Sequence, residues 1–279
     1  MKKFLSYPVI FFLLVLLLAG CNTEQKLARK FVVMEKPMPI LVMKPDIVFK
    51  HNLKEYEIPG IDTLSDYLKD SLLYENSLFL KEIDDSLLVY FFYDGFERFM
   101  TRMGYTVIPE DSLPVLMAES LSATVVNLAQ ISLEEYIYPY WSEEVVYDEV
   151  IVIDGIDLNA LNFNIWIELS KLNVEGDHKV LFTSDYLMDD LNGLLKQHLI
   201  TGKFRFDYTI DTLTLTDVYD FAGRFGSYTA GYLYDYLLNR YVRENIPASY
   251  PYDPYYYHYD TRRRIIYPVD SGERIIELN

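Results

Sequence analysis

Of 279 residues only one is cysteine, Cys21. A chain that uses that thiol for anything else has no disulfide, no thiolate metal site and no cysteine nucleophile, and its fold must rest on a hydrophobic core alone. The sequence around Cys21 says how it is used. Lys2 and Lys3 precede an apolar run from Val9 to Ala19, and Leu18-Ala19-Gly20-Cys21 has the form of a lipobox, the site at which bacterial lipoproteins are acylated and cut. Small residues at Ala19 and Gly20 admit the extended backbone to a peptidase, and the Cys21 thiol accepts a diacylglyceryl group. The rival reading, a membrane-spanning anchor, needs about 18 or more apolar residues, more than this run supplies. Residues 1–20 are therefore expected to be a signal peptide and Cys21 the lipidated first residue, tethered by two or three acyl (palmitate-type) chains.

Removing residues 1–20 takes away Lys2 and Lys3 and no acid, so the formal charge of −17 becomes −19. An acidic body with no long Lys/Arg stripe repels phosphate, which argues against nucleic acid as a partner. Only Arg262-Arg263-Arg264 is locally basic. Half the residues are apolar, and 26 are tyrosine, so the chain is globular and must bury or stack many rings.

Residues 21–30 read as a polar tether between lipid and domain. Phe31-Val32-Val33-Met34 and the proline-bracketed Pro39–Pro45 look like entering strands. Thr63–Tyr74 is a candidate short helix opening at Thr63-Leu64-Ser65-Asp66, within a stretch from 51 to 80 that can be an insertion. Asp84 or Asp85 then caps a helix whose Leu88, Phe91, Phe92, Phe96, Phe99 and Met103 share one face, and Gly104 offers the left-handed stop before a strand at Tyr105–Pro109. Alternation predicts strands at Ala123–Tyr136, Asn162–Leu172, Val180–Tyr186 and Phe204–Tyr208, the first with both faces partly covered. A second long helix, Thr216–Asn245, carries two rows of small residues, Ala222/Gly226/Ala230 and Gly223/Ser227/Gly231. Gly226 and Ala230 are expected to face the sheet. After Pro247 comes a tyrosine-rich arm, and Arg263–Tyr267 with Arg274–Leu278 suggests a terminal hairpin. The fold class is α+β, a mixed and largely antiparallel sheet against two long helices, with one domain over 31–246 and the arm and hairpin over 247–279.

The chemistry-bearing residues are dispersed. His51, His178, His198 and His258 stand apart, with no zinc spacing, and no P-loop or dinucleotide fingerprint appears. Asp154-Gly155-Ile156-Asp157-Leu158-Asn159 offers oxygens for calcium but lacks the EF-hand spacing, and a plain turn is the simpler reading. Glu134-Glu135 and Glu143-Glu144 supply carboxylates, yet neighbours on a strand point to opposite faces. Gly223-Arg224-Phe225-Gly226-Ser227 sits in a helix pattern, which makes it packing and not a nucleophile elbow. No metal or cofactor is expected. Tyr250, Tyr252, Tyr255, Tyr256, Tyr257 and Tyr259 form the one candidate interaction surface, either packed on the domain or a partner, or stacking on sugars.

The lipobox, then PILVMKP, then a helix running into MGYTVIP with Gly104, Tyr105, Val107 and Pro109, a strand pair and a long closing helix resembles the small outer-membrane lipoproteins of the curli-secretion and synthase-activator type. The likeness spans about half the chain, and residues 51–80 and the tyrosine arm depart from it. The resemblance implies a non-enzymatic assembly or regulatory factor. Asn22 after Cys21 disfavours inner-membrane retention. The expectation is a lipoprotein anchored in the outer membrane, facing the periplasm, that binds an envelope protein in cell-envelope assembly or transport. A surface lipoprotein binding glycans through the arm is the alternative, and a hydrolase with a site not visible in sequence is the third class.

Overall fold

The computed structural model describes residues 23–36, 38–54, 58–141, 143–146, 149–152, 155–174, 176–202, 204–269 and 274–278. The signal stretch and Cys21 lie outside them.

The first described residues correct the tether reading. Thr23–Val33 is a helix, α1, with Glu24, Ala28 and Phe31 buried. Spacing of three and four puts those residues on one stripe, and the stripe lies on the long closing helix. Phe31 to Met34, read as a strand, is thus the end of a helix, because a stripe that packs overrides the strand preference of two valines.

Two long helices form one layer. Helix α3 (Asp85–Arg102, following the short α2 at Asp66–Glu75) starts where expected: the Asp84 carboxylate accepts from Leu87 N at 2.9 Å. It ends before Gly104, whose φ of +86° is the left-handed stop. Helix α5 (Leu215–Asn245) opens on a capping box in which Thr214 and Asp217 exchange side-chain and backbone bonds. At the α2 region, Thr63 ends a 3-10 turn and Ser65 is the cap, so the helix begins two residues later than the sequence suggests.

The second layer is a seven-stranded mixed sheet. Its strands are β1 (Ile40–Met43), β2 (Phe49–Asn52), β3 (Val107–Pro109), β4 (Thr124–Tyr140), β7 (Ile156–Lys171), β8 (Lys179–Met188) and β13 (Ile276–Leu278), in the order β13-β8-β7-β4-β1-β3. β1 and β2 run parallel to β4, beside its residues 124–127 and 132–135, while β4, β7, β8 and β13 pair antiparallel. Around Gln130 the register of β4 on β7 shifts. That bulge explains the mixed alternation of β4: Val126 and Leu128 before it and Ile131 and Leu133 after it all join the core under α3 and α5. One face is core, and the other carries side-chain ladders such as Asn127 to Glu168 at 2.9 Å and Ser184 to Asn162 at 2.9 Å. The small helix α4 (Leu113–Ala118) covers Leu41 and Ala123 on that outer side.

Three hairpins stand off the sheet: β5 (Glu143–Val146) with β6 (Glu149–Val152), β9 (Asp190–Gln197) with β10 (Phe204–Asp211), and β11 (Tyr256–Asp260) with β12 (Ile265–Val269). The C-terminal hairpin is therefore present but is built from 256–260 and 265–269. Residues 276–278 leave it for the edge of the main sheet, beside Val180 to Phe182.

The small-residue rows of α5 also receive a correction. A Cβ built on Gly226 would lie 2.0 Å from the backbone carbonyl oxygen of Phe92, so this residue faces α3 and not the sheet. Gly95 on α3 answers it, 1.9 Å from Gly223 O on the same measure, and the Ser227 hydroxyl donates to Gly95 O at 2.9 Å. Gly223–Ser227 is packing, as its helical pattern implied. The sheet is met instead by Phe221 and Phe225, whose rings stand 5.0 and 6.2 Å from that of Phe163.

The described residues of 51–80 are tied to the sheet. Lys54 and Glu135, 2% and 0% exposed in their side chains, pair at 3.0 Å. Glu135 also accepts from Leu78 N and Phe79 N, and Lys54 donates to Asn159, which holds Asp189. Burial of a carboxylate is tolerated because each lone-pair direction finds a donor.

Candidate functional site

The tyrosine arm folds back on its own domain, and two polar residues of α5 hold it. Asn239 accepts from Tyr257 N at 2.7 Å and donates to Tyr257 O at 2.8 Å; Asp235 accepts from Tyr259 N at 3.0 Å. The spacing is what makes this work. Four residues of helix rise about 6.0 Å, and two residues of strand span about 6.8 Å. An i, i+4 pair of short polar side chains can therefore satisfy alternate residues along one edge of β11.

The arm is fixed a second time by α1. Glu24, 4% exposed, accepts from the hydroxyl of Tyr250, from Tyr255 N at 2.9 Å and from the hydroxyl of Tyr257 at 3.3 Å. Burial, with the Glu24 carboxylate beside it, pushes the Tyr257 phenol up to about 12. Neither Glu24 nor the Asp235/Asn239 pair was singled out from the sequence. Asp235 and Asn239 had a signal, polar residues four apart on a helix face otherwise buried; Glu24 had none, since its neighbours read as solvated chain.

Of the six candidate tyrosines, Tyr257 is buried, and Tyr250, Tyr256 and Tyr259 are partly covered. Only Tyr252 and Tyr255 present most of their surface, 76% and 67% exposed. The structure thus divides the predicted surface into four covered rings and two exposed ones.

Between α5, β8 and the turn of the β11–β12 hairpin lies an open cavity of about 490 Å³, with Tyr228, Tyr232 and Tyr259 beside Arg262, Arg274 and His258. His258 Nδ1 is 2.6 Å from the Asp235 carboxylate. That hydrogen bond raises the imidazole above its ordinary value of 6.5, and burial raises the Asp235 carboxyl in turn. A mixed aromatic and cationic wall suits stacking on a ring that carries polar groups. The Ser227 hydroxyl, which also lines the cavity, is engaged with Gly95 O at 2.9 Å and Gly223 O at 3.3 Å.

The other sequence candidates do not converge. Among the described residues no three His, Cys, Asp or Glu side chains are placed to hold a metal ion. Asp154 lies outside the described residues, and Asn159 is engaged with Lys54 and Asp189, so the calcium loop has lost its last oxygen to the fold. Glu134 bonds Asn162 on the outer face while Glu135 points inward, as strand geometry requires. The side chains of Glu143 and Glu144 are outside the description.

The β9–β10 hairpin is a third feature, and the sequence did not mark it as a surface. Its Leu194, Leu199, Ile200 and Tyr208 are 63%, 100%, 90% and 50% exposed. The tip is ordered by Gly202 N to His198 O at 2.8 Å, with Gly202 at a φ of +67°. Its root is fixed to the start of α5, where Asp189 accepts from Leu213 N at 2.9 Å.

Comparison with protein-family models finds none that matches this chain, and comparison with curated proteins finds no match either. Among the described residues no helix is long and apolar enough to cross a membrane.

Proposed function

We propose that this chain is a lipoprotein held through acylated Cys21 in the outer membrane, facing the periplasm, and that it works by binding an envelope protein in assembly or transport, without catalysis. The observation that carries this is the β9–β10 hairpin. A free-standing two-stranded hairpin is marginal in water, and this one carries at its tip two adjacent, almost fully exposed apolar side chains, Leu199 and Ile200, a mark of an interaction site. The layout is consistent with it: α5 is 31 residues long, roughly 46 Å. The hairpin is rooted at its start, while the arm is fixed on its second half and leaves from its end. The resemblance to curli-secretion-type lipoproteins belongs to the same proposal.

The test has two parts. Fatty-acid labelling in cells should mark the protein and not Cys21→Ala. A photo-crosslinking side chain at position 199 should give one dominant adduct with an envelope protein, and the same side chain at Tyr67, 82% exposed on α2, should not. Crosslinking that is equal at both positions would remove the hairpin as the binding surface.

A second reading is favoured by the cavity beneath the β11–β12 turn, where four tyrosines and two arginines surround a space large enough for a sugar ring. On that reading Tyr232→Ala abolishes glycan binding measured by calorimetry; saccharides giving no heat with the unaltered protein would end it.

A further inference from the structure

Glu24 joins two things that the sequence keeps 226 residues apart, the start of α1 and the tyrosine arm. It lies three residues after Cys21, so the acylated sulfur carrier and the Glu24 backbone are at most about 11 Å apart along an extended chain. From the same carboxylate hang Tyr255, through its backbone N–H at 2.9 Å, and Tyr250, through its hydroxyl. Tyr252 packs edge-on against Tyr250 with ring centroids 6.2 Å apart. The run Pro251-Tyr252-Asp253-Pro254-Tyr255 carries two prolines, each fixing its own φ, so the two exposed rings are presented by a stiffened segment.

We infer that Tyr252 and Tyr255 form a membrane-contact surface, lodged in the headgroup layer of the leaflet that holds the acyl chains of Cys21. The inference rests on the acylation of Cys21 proposed above and adds an orientation to it. Tyrosine is suited to this layer because its ring is apolar and its hydroxyl stays wet. Their exposure in a chain that otherwise buries or half-buries the rings of its arm has an occupant in reach, since Asn22 alone separates the lipid site from the helix that holds them. Asp253 between the rings and the formal charge of −19 on the chain from Cys21 onward disfavour attraction by anionic headgroups, so contact comes from the rings and from the short covalent leash. The domain is then held against the bilayer by its arm, with the β9–β10 hairpin rooted at the opposite end of α5.

The full-length acylated protein in phosphatidylethanolamine–phosphatidylglycerol vesicles tests this. With Cys21 acylated, Tyr252→Cys supplies the one free thiol for a polarity-sensitive fluorophore, and Leu199→Cys, at the tip of the β9–β10 hairpin, supplies the reference. The fluorophore at 252 should shift to shorter wavelength on reconstitution and be quenched by nitroxide-labelled lipids, while that at 199 stays water-like and unquenched. Flotation with the vesicles and fatty-acid labelling report the anchor independently. A protein that floats and is labelled, yet whose fluorophore at 252 remains in water or matches that at 199, overturns the orientation and leaves the anchor standing. A protein that neither floats nor is labelled overturns the anchor and, with it, the inference.

Discussion

Replacing Gly226 by alanine in α5 should destabilise the protein, although alanine is the better helix former by about 1 kcal/mol. The added Cβ would stand 2.0 Å from Phe92 O, against 3.4 Å or more for ordinary contact, so α3 and α5 must part by about 1.4 Å at their crossing. The obstacle is a carbonyl in a helix backbone and cannot swing aside as a side chain would. A gap of 0.5–1 Å already forfeits roughly a quarter to a half of the dispersion attraction across it. The crossing includes the edge-to-face pair Phe92–Phe225, with centroids 6.0 Å apart. Overpacking should therefore cost about 3 kcal/mol, the top of the usual range, and the net loss after the propensity gain is about 2 kcal/mol. For a domain of this size that lowers Tm by roughly 4–8 °C. Gly223 is the internal control. Its Cβ would meet Phe91 O at 3.5 Å, an ordinary contact, so Gly223→Ala should be neutral or raise Tm by a few degrees. Gly95→Ala, with its Cβ 1.9 Å from Gly223 O, should behave like Gly226→Ala. The pair Gly95→Ala/Gly226→Ala should cost less than the sum, because one separation relieves both clashes. Thermal and denaturant unfolding of the four proteins decides it. If Gly226→Ala and Gly95→Ala melt at or above Gly223→Ala, the helices do not cross backbone to backbone here.

Two further outcomes follow from buried polar contacts. Lys54→Met leaves the fully buried Glu135 with backbone donors but no cation, and should cost about 3–5 kcal/mol in denaturant unfolding; unchanged stability would mean that water reaches Glu135. His258 should titrate above 6.5 in the folded protein, because its hydrogen bond to Asp235 favours the imidazolium. A raised histidine pKa gives stability that is fully present below the unfolded value near 6.5 and is lost as pH rises through the folded value. Asp235→Asn, which can still accept from Tyr259 N, should remove that loss and bring the His258 titration measured by NMR down; an unmoved titration would deny the pair.

The alternation of apolar residues and the capping signals were sufficient to read the α+β class, the boundaries of α3 and α5 to within a residue or two, and strands β1, β4, β7 and β8. These are local: Asp84, Gly104 and Thr214 act on backbone groups within one turn, and period two or 3.6 is a property of the chain itself. What the sequence misassigned depended on a neighbour. Phe31-Val32-Val33 has strand propensity, and it is helical because Ala28 and Phe31 find Tyr234 and Leu238 to pack on. Gly226 reads as facing the sheet because a small residue shows only that something approaches, and which layer approaches is set by the crossing of two helices far apart in sequence. The bulge near Gln130 reversed the apparent faces of β4, since one extra residue inverts every side chain after it. The tyrosine arm was visible as composition, but its division into held and exposed rings was decided by Glu24, Asp235 and Asn239. The bonds of those three residues join distant segments, and their energy depends on burial that no stretch of chain has until the others arrive.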